Sequence, residues 1–279
     1  IVLTMTAGTA FIMWIGELIS QRGVGNGMSL IIFASIVSQL PSQFGSSYQV
    51  TAGQGRLGQF VFLMVMFILM IVGIIYVEQG QRRIPIQFAK RVRGRKVMGG
   101  QSTYIPLKVN SAGVIPVIFA TSILFFPALV ATSLPQDNNV TAAIRNWIDI
   151  NLANSQGTTW FYVFFLGILI IFFTYFYTTI QFDPVRQSDM IRRQGGFIPG
   201  VRPGISTTNY LSHIINRITL PGSVFLASVA VLPSIASVIW DIPLGFSGIS
   251  ILITVGVALE TMKQIESQLS MRNYEGFID

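Results

Sequence analysis

A chain of 279 residues that is 51% hydrophobic and only 10% charged, with a mean hydropathy of +0.62, is too oily for an ordinary soluble domain, where about a quarter of residues are charged. Its net charge of +7 sits on few residues, so the cations must be concentrated outside the apolar segments. The absence of cysteine excludes disulfides, thiolate metal sites and a thiol nucleophile, and a single histidine, His213, excludes a poly-histidine metal site.

The sequence therefore reads as an all-α, polytopic membrane protein. Crossing a hydrocarbon core of roughly 30 Å takes about 20 helical residues, because backbone groups in lipid must be paired within the segment. Seven apolar segments are marked, at roughly 1–19, 25–40, 58–77, 111–131, 159–180, 213–240 and 248–269. The second is short and follows a glycine-rich turn, Gln21-Arg22-Gly23-Val24-Gly25-Asn26-Gly27. That turn has neither a strand before it nor a Lys-Ser/Thr after it, so it reads as an interhelical turn and not as a phosphate-binding loop. The chain opens at Ile1 within an apolar run, without an initiator Met, a basic n-region or a small-residue cleavage site; it is not a signal peptide, and further sequence is expected upstream. NYEGFID closes the chain without a terminating element, so a longer tail is expected as well.

Lys and Arg collect in the cytoplasmic loops of membrane proteins. Alternate connections here hold sixteen of the eighteen: Arg22, eight between Arg82 and Lys108, then Arg186, Arg192, Arg193, Arg202, Arg217, Lys263 and Arg272. Only Arg56 and Arg145 fall on the other side. This predicts two large basic cytoplasmic loops, 78–108 and 181–212, with 41–57, 132–158 and 241–247 facing outward. In the second loop, Phe197-Ile198-Pro199-Gly200-Val201-Arg202-Pro203-Gly204 brackets one cation between two Pro-Gly pairs, which predicts consecutive turns presenting Arg202 at a rigid tip.

Catalytic chemistry finds little support in these residues. Glu17 lies near the inner end of the first segment, Glu260 and Lys263 are three apart near the inner end of the last, and His213 sits where the second basic loop meets its helix; no nucleophile, acid and base are grouped. No catalytic, cofactor-binding or metal residue is assigned, and a membrane hydrolase is set aside. A secondary transporter of a small solute is the alternative, and it would need a polar midplane site, whereas mid-span positions here are Ile, Val, Phe, Leu and Met with scattered Ser, Thr and Gly. The segment 111–131 stands out for Pro116 and Pro127, which are expected to bend or loosen it, with Thr121 and Ser122 between them.

Several motifs resemble the SecY family of bacterial protein-conducting channels. They are Gly8-Thr9-Ala10-Phe11-Ile12-Met13-Trp14-Ile15-Gly16-Glu17, Arg22 to Gly27, Glu78-Gln79-Gly80-Gln81-Arg82-Arg83-Ile84, Gln101-Ser102-Thr103, Pro106-Leu107-Lys108-Val109-Asn110, Ala112-Gly113-Val114-Ile115-Pro116 and Phe197 to Gly204. The resemblance covers essentially the whole chain and implies spans four to ten of ten, with the first three absent. It assigns 1–40 to the end of the first half, 41–57 to an external hinge loop and 58–279 to the second half.

The resemblance further implies a passive pore in the bacterial cytoplasmic membrane for secretion and membrane insertion, driven by the motor ATPase SecA or the ribosome, without a cofactor. Small membrane subunits SecE and SecG, signal sequences, nascent polypeptides and membrane lipid complete the implied partners. It gives SecA and ribosome docking to Arg82, Arg83, Lys90, Arg91, Arg93, Arg95, Lys96 and Arg202. Met28, Ile32, Ile118 and Ile253 become an apolar pore ring, Ile118 following the Pro116 kink. Pro116, Thr121 and Ser122 lie on the lateral-gate wall formed by segments 111–131 and 159–180.

Overall fold

The computed structural model describes residues 1–23, 25–53, 55–88, 91–93, 96–98, 102–133, 139–152, 159–240 and 247–275, with side chains left aside at 91–93, 96–98, 102, 139–140 and 271–275. Among these residues, seven helical stretches are long and apolar enough to cross a membrane. The chain divides into two compact units, Ile1–Ile75 with Leu232–Asp279, and Tyr76–Val231.

The first unit holds α1 (Val2–Arg22), α2 (Gly27–Gly53), most of α3 (Leu57–Gln79), the end of α8 (Ile205–Trp240) and α9 (Gly248–Glu275). The turn between α1 and α2 is built by close approach. A Cβ on Gly27 would run into the Gly16 carbonyl, the Gly27 N–H donates to Ser20 Oγ at 2.8 Å, and Gly25 has φ +92. Asn26 Oδ1 then accepts from Met28 N at 3.1 Å and caps α2. This is the interhelical turn expected of residues 21–27.

The external hinge loop expected at 41–57 is a helix for most of its length. α2 runs through Pro41 to Gly53, and Gly55, at φ +67, closes it through Gly55 N to Ala52 O at 3.1 Å and Arg56 N to Thr51 O at 2.9 Å. The Ser and Gln residues that suggested a loop keep a helix soluble without breaking it. Phe44 meets Phe67 and Tyr48 meets Phe60 edge to face, at 5.0 and 5.4 Å, so this extension packs on α3.

The second unit adds a feature to the helical bundle. The basic stretch that follows α3 is β structure: β1 (Gln81–Phe88), β2 (Arg91–Arg93), β3 (Lys96–Met98) and β4 (Ser102–Lys108). β1 and β4 pair antiparallel with Ile84 opposite Ile105. Pro85 lies opposite Tyr104 and Pro106 opposite Arg83, pairs of one parity, so both prolines fit the class of pairs that exchanges no backbone bonds. β5 (Gly196–Phe197), from the other basic loop, joins the far edge of β1, giving the order β4-β1-β5. A glycine fits closely here: a Cβ on Gly196 would stand 3.0 Å from Ile86 Cγ2, 3.1 Å from Phe88 Cε1 and 3.2 Å from Ile191 Cγ2. Gly196→Val is expected to prise β5 from β1 at a cost of about 1–3 kcal/mol, read as faster proteolytic cleavage between residues 196 and 204; unchanged cleavage would disprove that close fit.

The second loop is also built. α7 (Pro184–Arg193) starts on Asp183, whose carboxylate accepts from Val185 N at 2.9 Å, with Pro184 supplying the first helical position. α8 begins at Ile205, eight residues before the expected start, and its 36 residues span about 54 Å. The excess over a bilayer leaves its first turns to close a core of Ile84, Ile86, Leu107, Ile191, Ile198, Leu211 and Ile214. Behind this, α4 (Ile115–Ser133) packs on α6 (Trp160–Gln181), with Val117, Ala120 and Ala131 fully buried on α4 and Ile170 on α6. The connection expected as an outer loop at 132–158 carries a further helix, α5 (Asn139–Asn151).

Candidate functional site: basic sheet and gate helix

The two basic loops are parts of one sheet. Ile84 and Ile86 face the core while Arg83 and Tyr104 occupy the outward parity, with the Arg83 guanidinium 4.9 Å from the Tyr104 ring centre. That contact fixes a cation on the hairpin's outer face without neutralising it. Arg82 is also exposed. Further out, Arg93 is paired with Lys96 and Arg91 with Met98. Lys90 and Arg95 lie outside the described residues.

Arg202 is presented as the sequence predicts. Val201 N donates to Ile198 O at 3.1 Å across Pro199-Gly200, and Gly200 has φ +81, which makes a type II turn with proline and glycine in their favoured places. Ile198 is buried in the core below. The next turn is held from the other side: Thr207 Oγ1 donates to Arg202 O at 3.0 Å, and Ser188 Oγ donates to Gly204 O at 3.1 Å. These bonds are accepted by the backbone of Ile198, Arg202 and Gly204, and the Arg202 guanidinium is exposed. Sequence reasoning had the tip but not what it stands on: Phe197, the residue before Ile198, is hydrogen-bonded partner to Gln87 of the first loop.

The base of the hairpin is fastened to three helices. Val109 N donates to Gly80 O at 3.0 Å, and Asn110 Nδ2 donates to Glu78 Oε2 at 3.0 Å. A Cβ on Gly222 of α8 would stand 2.5 Å from Val109 O. Five residues after Asn110, α4 begins. Glu78, the one acid of the first loop, is thereby assigned to structure.

Pro116 does not kink α4. The helix starts at Ile115, so Pro116 occupies its first turn, where no backbone N–H has a partner within the helix, and Ile118 N still reaches Val114 O at 3.3 Å. Pro127 is the proline inside the helix, and it leaves the Ile123 carbonyl without its usual donor. Thr121 Oγ1 donates to Val117 O and Ile118 O, each at 3.0 Å, and Ser122 Oγ donates to Ile118 O at 2.7 Å. Both hydroxyls thus satisfy themselves on their own helix, a form compatible with lipid, and a rotamer change would release them to water.

Ile118, beside these hydroxyls, is 44% exposed, while its neighbour Val117 is fully buried. In the first unit Met28 and Ile32 lie one turn apart on α2, both exposed, and Ile253 is half-buried on α9, which packs against α2. Met28 rests on α1, its Sδ 2.5 Å from where a Cβ would stand on Gly16. Among the described residues no three His, Asp or Glu side chains gather where they could hold a metal ion.

A sequence model of the SecY family matches residues 1–262. The chain belongs to the SecY family. The protein translocase subunit SecY of Streptomyces scabiei is 50% identical over 283 aligned residues, covering 99% of this chain and 62% of that protein. That of Mycobacterium bovis is 46% identical, covering the whole chain and 63% of that protein. The chain therefore spans somewhat under two thirds of the length of these relatives. A solved structure described as a protein-conducting channel superposes with a TM-score of 0.61 at 20% identity, over 93% of this chain and 63% of that one. Another, of a SecY protein whose plug domain stabilises the closed state, gives 0.60 over the same share of this chain. SecY membership and seven apolar spans make this a membrane-embedded protein, and they leave the small-solute transporter without support.

Proposed function

We propose that this chain is the larger part of a protein-conducting channel, serving secretion across and insertion into the bacterial cytoplasmic membrane, with its basic sheet as the cytoplasmic landing site for the ribosome and for SecA. It does no covalent chemistry; the driving partner supplies the energy. Met28, Ile32, Ile118 and Ile253 form an apolar ring, which resists ion flow by dewetting and yields to a polypeptide because it offers no fixed coordination. α4 and α6 form the moving wall through which signal sequences reach lipid, and the segment 41–57 serves as the external hinge between halves. SecE and SecG are the membrane partners, expected to co-purify with the full-length protein.

The observation that carries the docking reading is the pairing of β5 with β1, which joins the two basic loops in one sheet. Ribosomal RNA is polyanionic, and each phosphate neutralised by Lys or Arg releases a counterion. Ribosome binding to the full-length protein in nanodiscs is expected to fall linearly in log affinity with log salt concentration. Replacing Arg82 or Arg83 by Ala should shallow that slope by about one for each phosphate that the variant no longer neutralises. Salt-independent binding, or variants that leave the slope unchanged, would remove the sheet from the landing site.

A further inference from the structure

The connection between α4 and α6 contains a helix whose polarity is turned inside out. On α5 the half-buried face carries Thr141, Ala142, Arg145, Ile148 and Asp149, and Arg145 Nε lies 3.7 Å from Asp149 Oδ2, with the two side chains 28% and 30% exposed. The opposite face exposes Ile144, Trp147 and Ile150 to between 47% and 51%. A helix on a water-bathed surface places its ion pair outward and its isoleucines inward.

Topology says where this face lies. α4 starts at the sheet and α6 returns to it, so the residues between them sit at the opposite membrane surface. There α5 packs against α4, and its apolar face continues into that of α6: Trp147 meets Phe161 edge to face at 5.6 Å, and Phe161 stacks on Phe165 at 6.0 Å. Phe164, Ile168 and Phe172 extend the same exposed apolar surface down the span. Thr159 Oγ1 donates to Ile150 O at 2.9 Å and ties the end of α5 to the start of α6.

We propose that α5 lies in the plane of the bilayer at its outer interface, with Ile144, Trp147 and Ile150 set into the boundary between headgroups and acyl chains. Its partner is the phospholipid surface, continuous with the lipid around α6, and Trp147 takes the belt position that tryptophan favours. Because Arg145 and Asp149 cancel each other and face inward, the contact needs no anionic lipid.

The test uses the full-length protein with Trp147 as its only tryptophan, reconstituted in phosphatidylcholine vesicles brominated near the carbonyl end of the acyl chains. Trp147 emission is expected to drop by about half or more relative to unbrominated vesicles, with little quenching by aqueous iodide. Strong iodide quenching without a bromine effect would place the face in water, and quenching by neither would place it under another protein; either result overturns the proposal. Should the tryptophan-depleted protein fail to insert, a nitroxide on Ile150→Cys is expected to be reached better by oxygen than by a water-soluble nickel complex, and the reverse ratio overturns it equally.

Discussion

Arg202→Glu in the full-length protein is expected to slow SecA-driven translocation into reconstituted vesicles by at least about tenfold, the factor that 1.4 kcal/mol of lost docking energy produces, while leaving the protein inserted and folded. The turn that holds Arg202 is closed by Ile198 O, Val201 N, Thr207 Oγ1 and Arg202's own carbonyl, none of which the substitution touches. The guanidinium is exposed, so reversing its charge opens no cavity in the core beneath. If the proposed docking holds, what changes is the encounter with an anionic partner surface, because like charges brought together at an interface cost several kcal/mol. Wild-type transport rates by the variant would take Arg202 out of the docking surface.

The second large effect is expected from a pair of adjacent residues on α4. Ile118→Asn should raise resting ion conductance of the full-length complex in a planar bilayer by roughly an order of magnitude, since one polar side chain in an apolar constriction lets water bridge it. Ile118 is 44% exposed. Val117 beside it is fully buried, and Val117→Asn should lower thermal stability by about 1–3 kcal/mol through an unsatisfied buried amide without a selective leak. Equal conductance in wild type and Ile118→Asn would remove Ile118 from the ring. A leak from Val117→Asn with the fold intact would instead show that the two residues face the opposite way.

How far these features were readable beforehand depended on whether the signal was local. The spans were, because long apolar runs have few other uses in a chain so poor in charge. So was the Arg202 turn, since Pro199 and Gly200 each demand their backbone angles. The hairpin at 81–108 left a weaker trace: Ile84, Ile86 and Phe88 alternate with Arg83, Pro85 and Gln87, the period of a strand, but the density of cations drew the reading toward a charged loop. β5 left none. Two residues, Gly196 and Phe197, become a strand by pairing with Phe88 and Gln87, a partner distant in sequence. The polar helices, the far end of α2 and α5, were missed for a related reason: Ser, Gln and Asn lower hydropathy without lowering helicity enough to stop a helix that neighbours support. The effect of Pro116 is not local either, since it depends on whether the proline falls in the first turn, and α4 starts at Ile115, directly after the hairpin.

The fastening at the hairpin's base has a mechanical meaning. Val109 and Asn110 are held within two residues by Gly80 and Glu78 at the end of α3 and by Gly222 on α8, with α4 following directly. A beam clamped at three points does not swivel at its root. Load applied to the hairpin therefore reaches the ends of α3, α4 and α8 together.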